Sequence, residues 1–422
     1  MTPEVKTRIE QIRRDEVPEG YKKGKLGIVP DEWENVTFST LFTSTSDYTD
    51  DLDKYPLYSL TIEDGITPKT ERYERSHLVK KEDSYKIVRP NDYAYNPMNL
   101  RFGAVARHKG TIPVAVSGYY DIFTTVHESD LPFMDSFLTC GTMITYYNRV
   151  STGSLVEKQR VHFSQFLDFA LPLPPVTERA KIAAILTTQD KMIELKENLL
   201  TEKQRQKKYL MQQLLTGKKR LSGYQTLWKS KNCGAICTIN PKGSKNSDNV
   251  VTFLRMADIN EDGKIVHQQL VDSSSIFAGG YTAFLRGDIL VAKITPCFEN
   301  GKGAYTKNLA TEHGLGSTEF HVLRCSTEVM QEYLFYHTQS DNFRKKLTSE
   351  MIGSAGQKRV QASSISSYTI SLPPYKEQQA IVEILSSADH ELDLLRQDIE
   401  QEKQKKKALM QFLLTGIVRV SI

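Results

Sequence analysis

Two long stretches of the sequence carry apolar residues at alternating spacings of four and three. The first stretch keeps only part of this pattern, because polar Gln189, Lys196 and Lys203 interrupt its middle; its apolar residues are Ile182, Leu186, Ile193, Leu200, Leu210 and Leu214. The second has them at Ile381, Leu385, Ala388, Leu392, Leu395, Ile399, Leu409 and Leu413. This spacing is typical of a helix that packs against another helix in a coiled coil. The pattern therefore predicts two long helices that bury each other's apolar stripes.

The two stretches are copies of one unit. LPPVTERAKIAAILTTQDKMIEL, which begins at Leu173, returns as LPPYKEQQAIVEILSSADHELDL at Leu372, an offset of 199 residues. The same offset aligns KKYLMQQLLTGKKR with KKALMQFLLTGIVR, and Arg160 with Arg359, without a gap. A match this long without a gap indicates an internal duplication.

Each copy has start and stop signals for a single helix. Two prolines precede it, and Glu178 or Glu377 stands in the first turn, where the helix dipole favours an anion. Gly217 and Gly416 stand where a C-terminal cap needs a glycine. About forty residues at 1.5 Å each predict rods of roughly 60 Å.

Charge predicts the direction of the pair. Between residues 376 and 402 there are eight acidic and two basic residues, whereas residues 203–220 include seven bases and no acid. An antiparallel pair would place the acidic start of the second helix beside the basic end of the first. We therefore predict an antiparallel coiled coil.

Two dissimilar globular segments, 31–170 and 222–371, lie before the helices. Both contain short β-like runs: YSLTIEDGI, RPNDYAYN and YYDIFTTV in the first, and TFLRMADINEDGKI, LRGDILVAKI and EFHVLR in the second. Asp64-Gly65 and Asp262-Gly263 are typical of hairpin turns. The predicted fold class is α+β, with two mixed α/β domains separated by two long helices in a pseudo-twofold duplicated architecture.

Composition narrows the class of protein. The chain has 422 residues, 39% hydrophobic content and a net charge of +4, and it lacks an apolar run near the ~20 residues that cross a bilayer. Its five scattered cysteines fit reduced thiols, and Cys233 and Cys237 lack a second ligand pair for zinc. We expect a cytoplasmic protein without a metal site.

The sequence gives little support to a methyltransferase, a nuclease or an ATP-binding site. Leu372-Pro-Pro-Tyr375 has leucine where an amino-methyltransferase needs a polar residue, and residues 298–303 form only a faint glycine loop for S-adenosylmethionine. The nuclease-like Asp262-Gly263-Lys264 is explained by a turn, and we find no ATP-binding GxxxxGK[ST] loop. We expect no catalytic residues in this chain.

The arrangement resembles the specificity (S) subunit of type I restriction-modification systems. The resemblance covers nearly the whole chain and depends on LGIVPDEWENVTF, the paired LPPxxEQ-like helix starts, the LLTG helix ends, AYNPMNLRFGAVARHKG, and AKITPCFENGKGAY followed by GSTEFHVLR. It implies an N-terminal helical arm (1–30), target recognition domains 1 and 2 (31–170 and 222–371), and conserved long helices 1 and 2 (171–221 and 372–422).

The resemblance also implies a function. Each recognition domain would read one half of a bipartite, asymmetric DNA target, and the helices would fix the gap between the halves. They would also dock two modification (adenine methyltransferase) subunits, which restriction (translocase and nuclease) subunits join. S-adenosylmethionine, ATP and Mg would be bound only in those partner subunits.

Candidate DNA-binding residues carry donors on loops. They are Arg101, Arg107, His108 and Lys109 in the first domain, and Lys293, Lys302, Ser317 and Thr318 in the second. Lys158-Gln159-Arg160 and Gln357-Lys358-Arg359 recur in both halves, which favours a shared contact to the DNA backbone over base reading. Candidates for the helix-pair and partner interface are Ile182, Leu186, Ile193, Leu210, Leu214, Ile381, Leu385, Leu392, Leu409 and Leu413.

Two alternatives stay open. The chain could be the recognition subunit of a related multifunctional restriction system that cuts on both sides of its target. It could also be a coiled-coil scaffold with two protein-binding domains, which would show no salt-dependent DNA affinity.

Overall fold

The computed structural model describes residues 2–69, 85–153, 155, 159–242, 249–273, 280–354 and 356–420. The chain forms two compact units, residues 1–197 with 398–422 and residues 198–397. Both mix helices and strands. Among the described residues, no helix has the length and apolarity needed to span a membrane.

The first unit opens with helix α1 (Pro3–Arg13), and a β-hairpin follows it. Its shorter helices are α2 (Leu131–Phe137), α3 (Gly141–Val150) and α4 (Phe163–Leu167). Its strands are β1 (Tyr21–Gly24), β2 (Gly27–Pro30), β3 (Glu34–Thr37), β4 (Phe42–Thr45), β5 (Tyr48–Thr49), β6 (Tyr58–Thr61), β7 (Gly65–Pro68), β8 (Tyr85–Val88), β9 (Tyr93–Tyr95), β10 (Val105–Arg107), β11 (Val114–Ser117), β12 (Asp121–Thr125) and β13 (Ala170–Leu173).

The long helix α5 (Val176–Leu215) contributes residues to both units. The second unit then contains helices α6 (Cys233–Ile236), α7 (Gln331–Gln339), α8 (Asp341–Ser349) and α9 (Ala362–Ser367). Its strands are β14 (Lys229–Asn232), β15 (Cys237–Ile239), β16 (Val250–Leu254), β17 (Gln269–Asp272), β18 (Thr282–Leu285), β19 (Ile289–Ala292), β20 (Gly303–Tyr305), β21 (His313–Gly316), β22 (Phe320–Cys325) and β23 (Thr369–Leu372). The second long helix, α10 (Tyr375–Leu413), also divides between the units.

The central sheets of the two units have the same strand order. The order is β10-β9-β12-β4 in the first unit and β20-β19-β22-β15 in the second. The same turn precedes strand β9 in the first sheet and strand β19 in the second. The Asp92 side chain accepts from the amide of Arg89 (3.0 Å), and the Asp288 side chain accepts from the amide of Leu285 (2.7 Å). The inner strands β9, β12 and β19 lie within the β-like runs RPNDYAYN, YYDIFTTV and LRGDILVAKI, and β22 overlaps the run EFHVLR.

Apolar side chains of the sheets and helices form the cores. In the first unit, rings such as Phe38, Phe123 and Phe166 are fully buried and pack in edge and tilted contacts. In the second, Tyr333, Phe298 and Phe343 occupy the equivalent interior. Burial of large aromatic rings contributes most of the driving force in such cores.

Both long helices end on a glycine. Gly217 and Gly416 have φ +70°, and the amides of Lys219 and Val418 donate back to the carbonyls of Gln213 and Phe412. The glycine amides also donate to the carbonyls of Leu214 (3.4 Å) and Leu413 (3.2 Å), which is the shorter of the two hydrogen-bond loops of a Schellman cap and requires a left-handed residue.

A buried carboxylate joins each domain to the helix that follows it. Glu178, fully buried, accepts from the indole of Trp33 (3.2 Å) and from the guanidinium of Arg419 (2.7 and 3.0 Å). The hydrogen bonds to Glu178 raise the pKa of Arg419 despite partial burial. The start of α5, the domain and the segment beyond α10 thus meet at one side chain.

The second unit repeats this cluster. Glu377, also fully buried, accepts from Trp228 (2.9 Å) and from the guanidinium of Arg220 (2.8 Å twice). A charge-assisted, bidentate contact of this kind is among the stronger hydrogen-bonding arrangements in proteins. The duplication in the sequence is therefore also a duplication of three-dimensional contacts.

Ion pairs link the two long helices within each unit. In the first unit Lys406 pairs with Asp190 (2.5 Å), and Lys196 pairs with Asp398 (2.8 Å) and Glu402 (2.9 Å). Residue numbers rise along one helix as they fall along the other, so these segments run antiparallel. In the second unit Lys203–Glu391 and Lys207–Asp389 follow the same order.

The predicted stripe residues lie in the cores of their own units. Ile182, Leu186 and Leu413 are buried in the first core with Leu409 against it, and Leu214, Ile381 and Leu385 are buried in the second with Leu210 against it. Ile193 and Leu392 are buried as well. The stripes therefore pack against globular domains as well as against the other helix.

Candidate nucleic-acid interface

In each unit the recurring Arg-Val dipeptide is held by four hydrogen bonds to its backbone, three with other backbone groups and one with a side chain. Arg160 exchanges two with Thr152 (3.0 and 2.9 Å), and Arg359 exchanges two with Ile352 (2.8 and 3.0 Å). The amide of Val161 donates to the carbonyl of Pro97 (3.1 Å).

The equivalent amide of Val360 donates to the carbonyl of Lys293 (3.0 Å). In the fourth hydrogen bond the valine carbonyl is the acceptor. The donor is the Tyr95 hydroxyl in the first unit and His321 Nε2 in the second (2.9 Å). Both valines are buried, so each arginine projects from a fixed backbone. Arg160 is exposed, and the Arg359 side chain is 42% exposed.

Four predicted residues of the second domain come together around Arg359. Lys293 Nζ donates to the carbonyl of Thr318 (2.7 Å), and the Arg359 guanidinium contacts Glu319 (2.9 Å). Ser317 Oγ accepts from the amide of Glu319 (3.2 Å). Three loops that are distant in sequence thus meet at one basic patch.

Burial lowers the pKa of Lys293, and the nearby positive charge of Arg359 adds to this effect. The hydrogen bond with Glu319 raises the pKa of Arg359. An approaching phosphate would favour the charged form of Lys293, because an opposite charge nearby stabilises that form. Lys358 is exposed beside this patch, and its carbonyl accepts from the amide of Thr295 (3.0 Å).

In the first domain, Arg101 lies beside the recurring segment. Its Nη1 donates to Gln159 (3.1 Å), and its guanidinium stacks on the half-exposed ring of Phe102, 4.6 Å from the centroid. Lys158 lies outside the described residues.

Other predicted residues lie in different surroundings. Arg107 is engaged by Asp135 through contacts of 2.7 to 3.2 Å, with Lys109 3.5 Å from the same carboxylate. His108 is buried against the carbonyl of Ile112. Lys302 Nζ approaches the carbonyl of Met256 (3.3 Å). The side chains of Arg107 and Asp135 are only 18% and 17% exposed, whereas Arg359 beside Glu319 is 42% exposed, so Arg107 is the less accessible of the two arginines.

Residues 226–404 match the family model described as the type I restriction modification DNA specificity domain. The match covers 179 of the 422 residues, and the relatives with similar sequences are specificity subunits of type I restriction enzymes. The specificity subunits of the type I restriction enzymes EcoEI and EcoAI, both from Escherichia coli, are 36% identical over 192 residues and 38% identical over 157 residues. These matches cover 45% and 37% of this chain.

The chain spans a third or less of the length of those two relatives (32% and 27%). A similar fold is seen in a solved chain from a study of complex assembly and conformational transition of the type I R-M system. That chain superposes with a TM-score of 0.56 at 16% identity, covering 92% of this chain and 99% of the other. At that identity the likeness concerns the fold.

The cysteines that resemble a metal motif have another arrangement in the structure. Cys233 and Cys237 are buried, and Cys237 Sγ donates to the carbonyl of Cys233 (3.1 Å). Burial raises the pKa of Cys237 to about 12, which disfavours the thiolate that binds metals. In the ranges that the structure describes, no three His, Cys, Asp or Glu side chains are grouped to hold a metal ion.

Sequence reasoning missed Tyr95, His321 and Glu319 as partners of the recurring segment. The one local signal is His321, a polar residue inside the otherwise apolar run of the strand FHVL. Such a residue, buried in a strand, needs a hydrogen-bond partner. Its partner could not be deduced, because Val360 is 39 residues away in sequence.

Proposed function

We propose that the chain is the non-catalytic, DNA-reading subunit of a cytoplasmic type I restriction-modification complex. Each globular domain reads one half of a bipartite, asymmetric DNA target. The long helices form an antiparallel coiled coil that fixes the gap and docks two modification subunits, which restriction subunits join. S-adenosylmethionine, ATP and Mg are bound in those partners.

The observation that carries the proposal is the repeated frame around Arg160 and Arg359. Two domains with dissimilar loops present one arginine each from the same four hydrogen bonds. A contact that is conserved between the two domains suits a DNA phosphate, since the phosphate backbone is the same at every sequence. The loops that differ, around Arg101 and Lys293, suit base reading.

The test measures DNA affinity of the chain assembled with its modification subunits, as a function of salt. Each phosphate contact contributes about 0.9 to the slope of log K against log salt. We expect Arg160→Ala and Arg359→Ala each to reduce that slope by about one and to weaken binding to cognate and unrelated DNA alike.

Arg286→Ala is the matched control. Arg286 is 44% exposed and lies beside an acid, Glu312, much as Arg359 lies beside Glu319. We expect this variant to keep the wild-type slope. Salt-independent affinity of the wild-type complex would contradict the proposed function and favour a protein-binding scaffold.

A further inference from the structure

The carbonyls of Val161 and Val360 are held by donors that are not structurally equivalent. Strands β9 and β19 correspond in the sheet order, as do β12 and β22. Tyr95 lies on β9 and pairs across the sheet with Asp121 on β12. His321 lies on β22 and pairs with Val291 on β19. The donor therefore comes from one strand in the first domain and from its neighbour in the second.

Either donor fills the same physical need. The valine carbonyl is enclosed in the core, where an unsatisfied polar group costs about 1–3 kcal/mol. Two different side chains meeting at one carbonyl indicate that the backbone position itself is what both domains require. That position sets the direction in which the preceding arginine projects.

We infer that Tyr95 and His321 are positioning residues for the DNA-contacting arginines Arg160 and Arg359. The inference rests on the proposed function, because it assigns the arginines to DNA phosphate. Neither positioning residue contacts DNA in this scheme. Each acts by fixing the backbone of the Arg-Val dipeptide, so that the guanidinium is preorganised for a phosphate.

The hydrogen bonds define the state of His321. A carbonyl only accepts, so Nε2 carries the proton and donates to Val360. Nδ1 then accepts from the Asn240 amide nitrogen (3.0 Å), while Asn240 Oδ1 accepts from the amide of Val322 (3.1 Å). Burial lowers the pKa of His321 to about 4, so the neutral ring persists at neutral pH.

Two substitutions at His321 distinguish the roles of its two ring nitrogens. Glutamine can place an amide nitrogen near the position of Nε2, and asparagine can place an oxygen near the position of Nδ1. We expect His321→Asn to reduce the salt slope by about one, like Arg359→Ala, and His321→Gln to keep the wild-type slope. The complex with modification subunits and a fixed DNA duplex is the sample.

The first domain offers a matched pair of tyrosines. Tyr95→Phe removes the hydroxyl that holds Val161 and should reduce the salt slope by about one. Tyr93→Phe is the control, because Tyr93 is equally buried on the same strand but donates to Leu131 and Asp135. It should lower the melting temperature and leave the slope unchanged. Tyr95→Phe combined with Arg160→Ala should match Arg160→Ala alone.

The outcomes distinguish the two ideas. If the wild-type complex binds DNA in a salt-dependent manner but Tyr95→Phe and His321→Asn keep its slope, the positioning role is overturned and the proposed function stands. If Tyr93→Phe reduces the salt slope as much as Tyr95→Phe does, the positioning role is also overturned. Wild-type affinity that does not respond to salt overturns both.

Discussion

Single buried polar side chains connect distant segments in both units. Glu178, Glu377 and His321 are each almost inaccessible to solvent, and each accepts or donates hydrogen bonds to residues far away in sequence. Such groups stabilise the fold only while every partner is present, because an unpaired buried charge or dipole is costly. Burial of His321 also makes the fold sensitive to pH, because it lowers the pKa of the ring.

Acid should destabilise the second unit through His337. The side chain is buried, Nε2 has no hydrogen-bond partner among the described residues, and burial lowers the pKa of the ring to about 3. The unfolded chain, with a histidine pKa near 6.5, binds the proton first, so the free energy of unfolding falls as pH drops from about 6.5 towards 3. At pH 5 the loss should be roughly 2 kcal/mol. His321 should contribute in the same direction.

Chemical unfolding at pH 7 and pH 5 measures this effect. His337→Phe keeps an aromatic ring beside Tyr333 and should remove the contribution of His337 to the difference. Replacement of the exposed His390 by asparagine is the control and should retain the full difference. An unchanged pH dependence in His337→Phe would show that the imidazole does not stay neutral in the fold.

At the scale of elements, the ends of the long helices are fixed by glycine and by aromatic contact. An added Cβ at Gly416 would lie 2.4 Å from Pro30 Cδ and 3.0 Å from Trp33, and one at Gly217 would lie 3.1 Å from Trp228. Both glycines also have a left-handed backbone. The caps therefore stop the helices and let the domain tryptophans approach closely.

Replacing these glycines by alanine should destabilise the protein by amounts that differ from site to site. The left-handed conformation alone costs roughly 1–2 kcal/mol. Gly223, with φ +88° and open space around it, reports that cost alone. We expect Gly416→Ala to lose the most stability, Gly217→Ala less and Gly223→Ala the least, as measured by denaturant unfolding. Equal losses at Gly416 and Gly223 would contradict the close approach of Pro30 and Trp33.

At the scale of the whole molecule, the two copies share their structural contacts but differ in their loops. The sheet order, the turn aspartates, the Trp–Glu–Arg clusters and the Arg-Val frames recur in both units. The loops around Arg101 and Lys293 do not share their contacts. A chain built in this way can present two different surfaces in two similar settings.

The bases that these surfaces read should form two blocks separated by a fixed number of unspecified pairs. We expect methylated adenines, mapped in a genome that expresses this chain with its modification subunit, to define one asymmetric, bipartite motif. Cells with the modification subunit alone are the control. A continuous motif, or adenines methylated without regard to sequence, would contradict reading by two separate domains.

The sequence by itself determined the elements whose cause is local. Periodic apolar positions, flanking prolines and terminal glycines predicted helices where α5 and α10 occur, and short β-like runs predicted the inner strands β9, β12, β19 and β22 of the two central sheets. Summed charge predicted the opposed direction seen in ion pairs such as Lys406–Asp190. Arg160 and Arg359 were chosen as DNA-binding candidates only because their segment recurs in both halves of the sequence.

Only the tertiary structure decided which side chains meet. Arg107 was a candidate for DNA because it is basic and lies near a loop, yet its side chain is mostly buried against Asp135 on a separate helix. Tyr95 and His321 were not singled out, because a hydrogen bond to a carbonyl 66 or 39 residues away leaves no periodic trace. Long-range polar contacts depend on how strands are ordered in a sheet, and that order follows from packing of the whole domain.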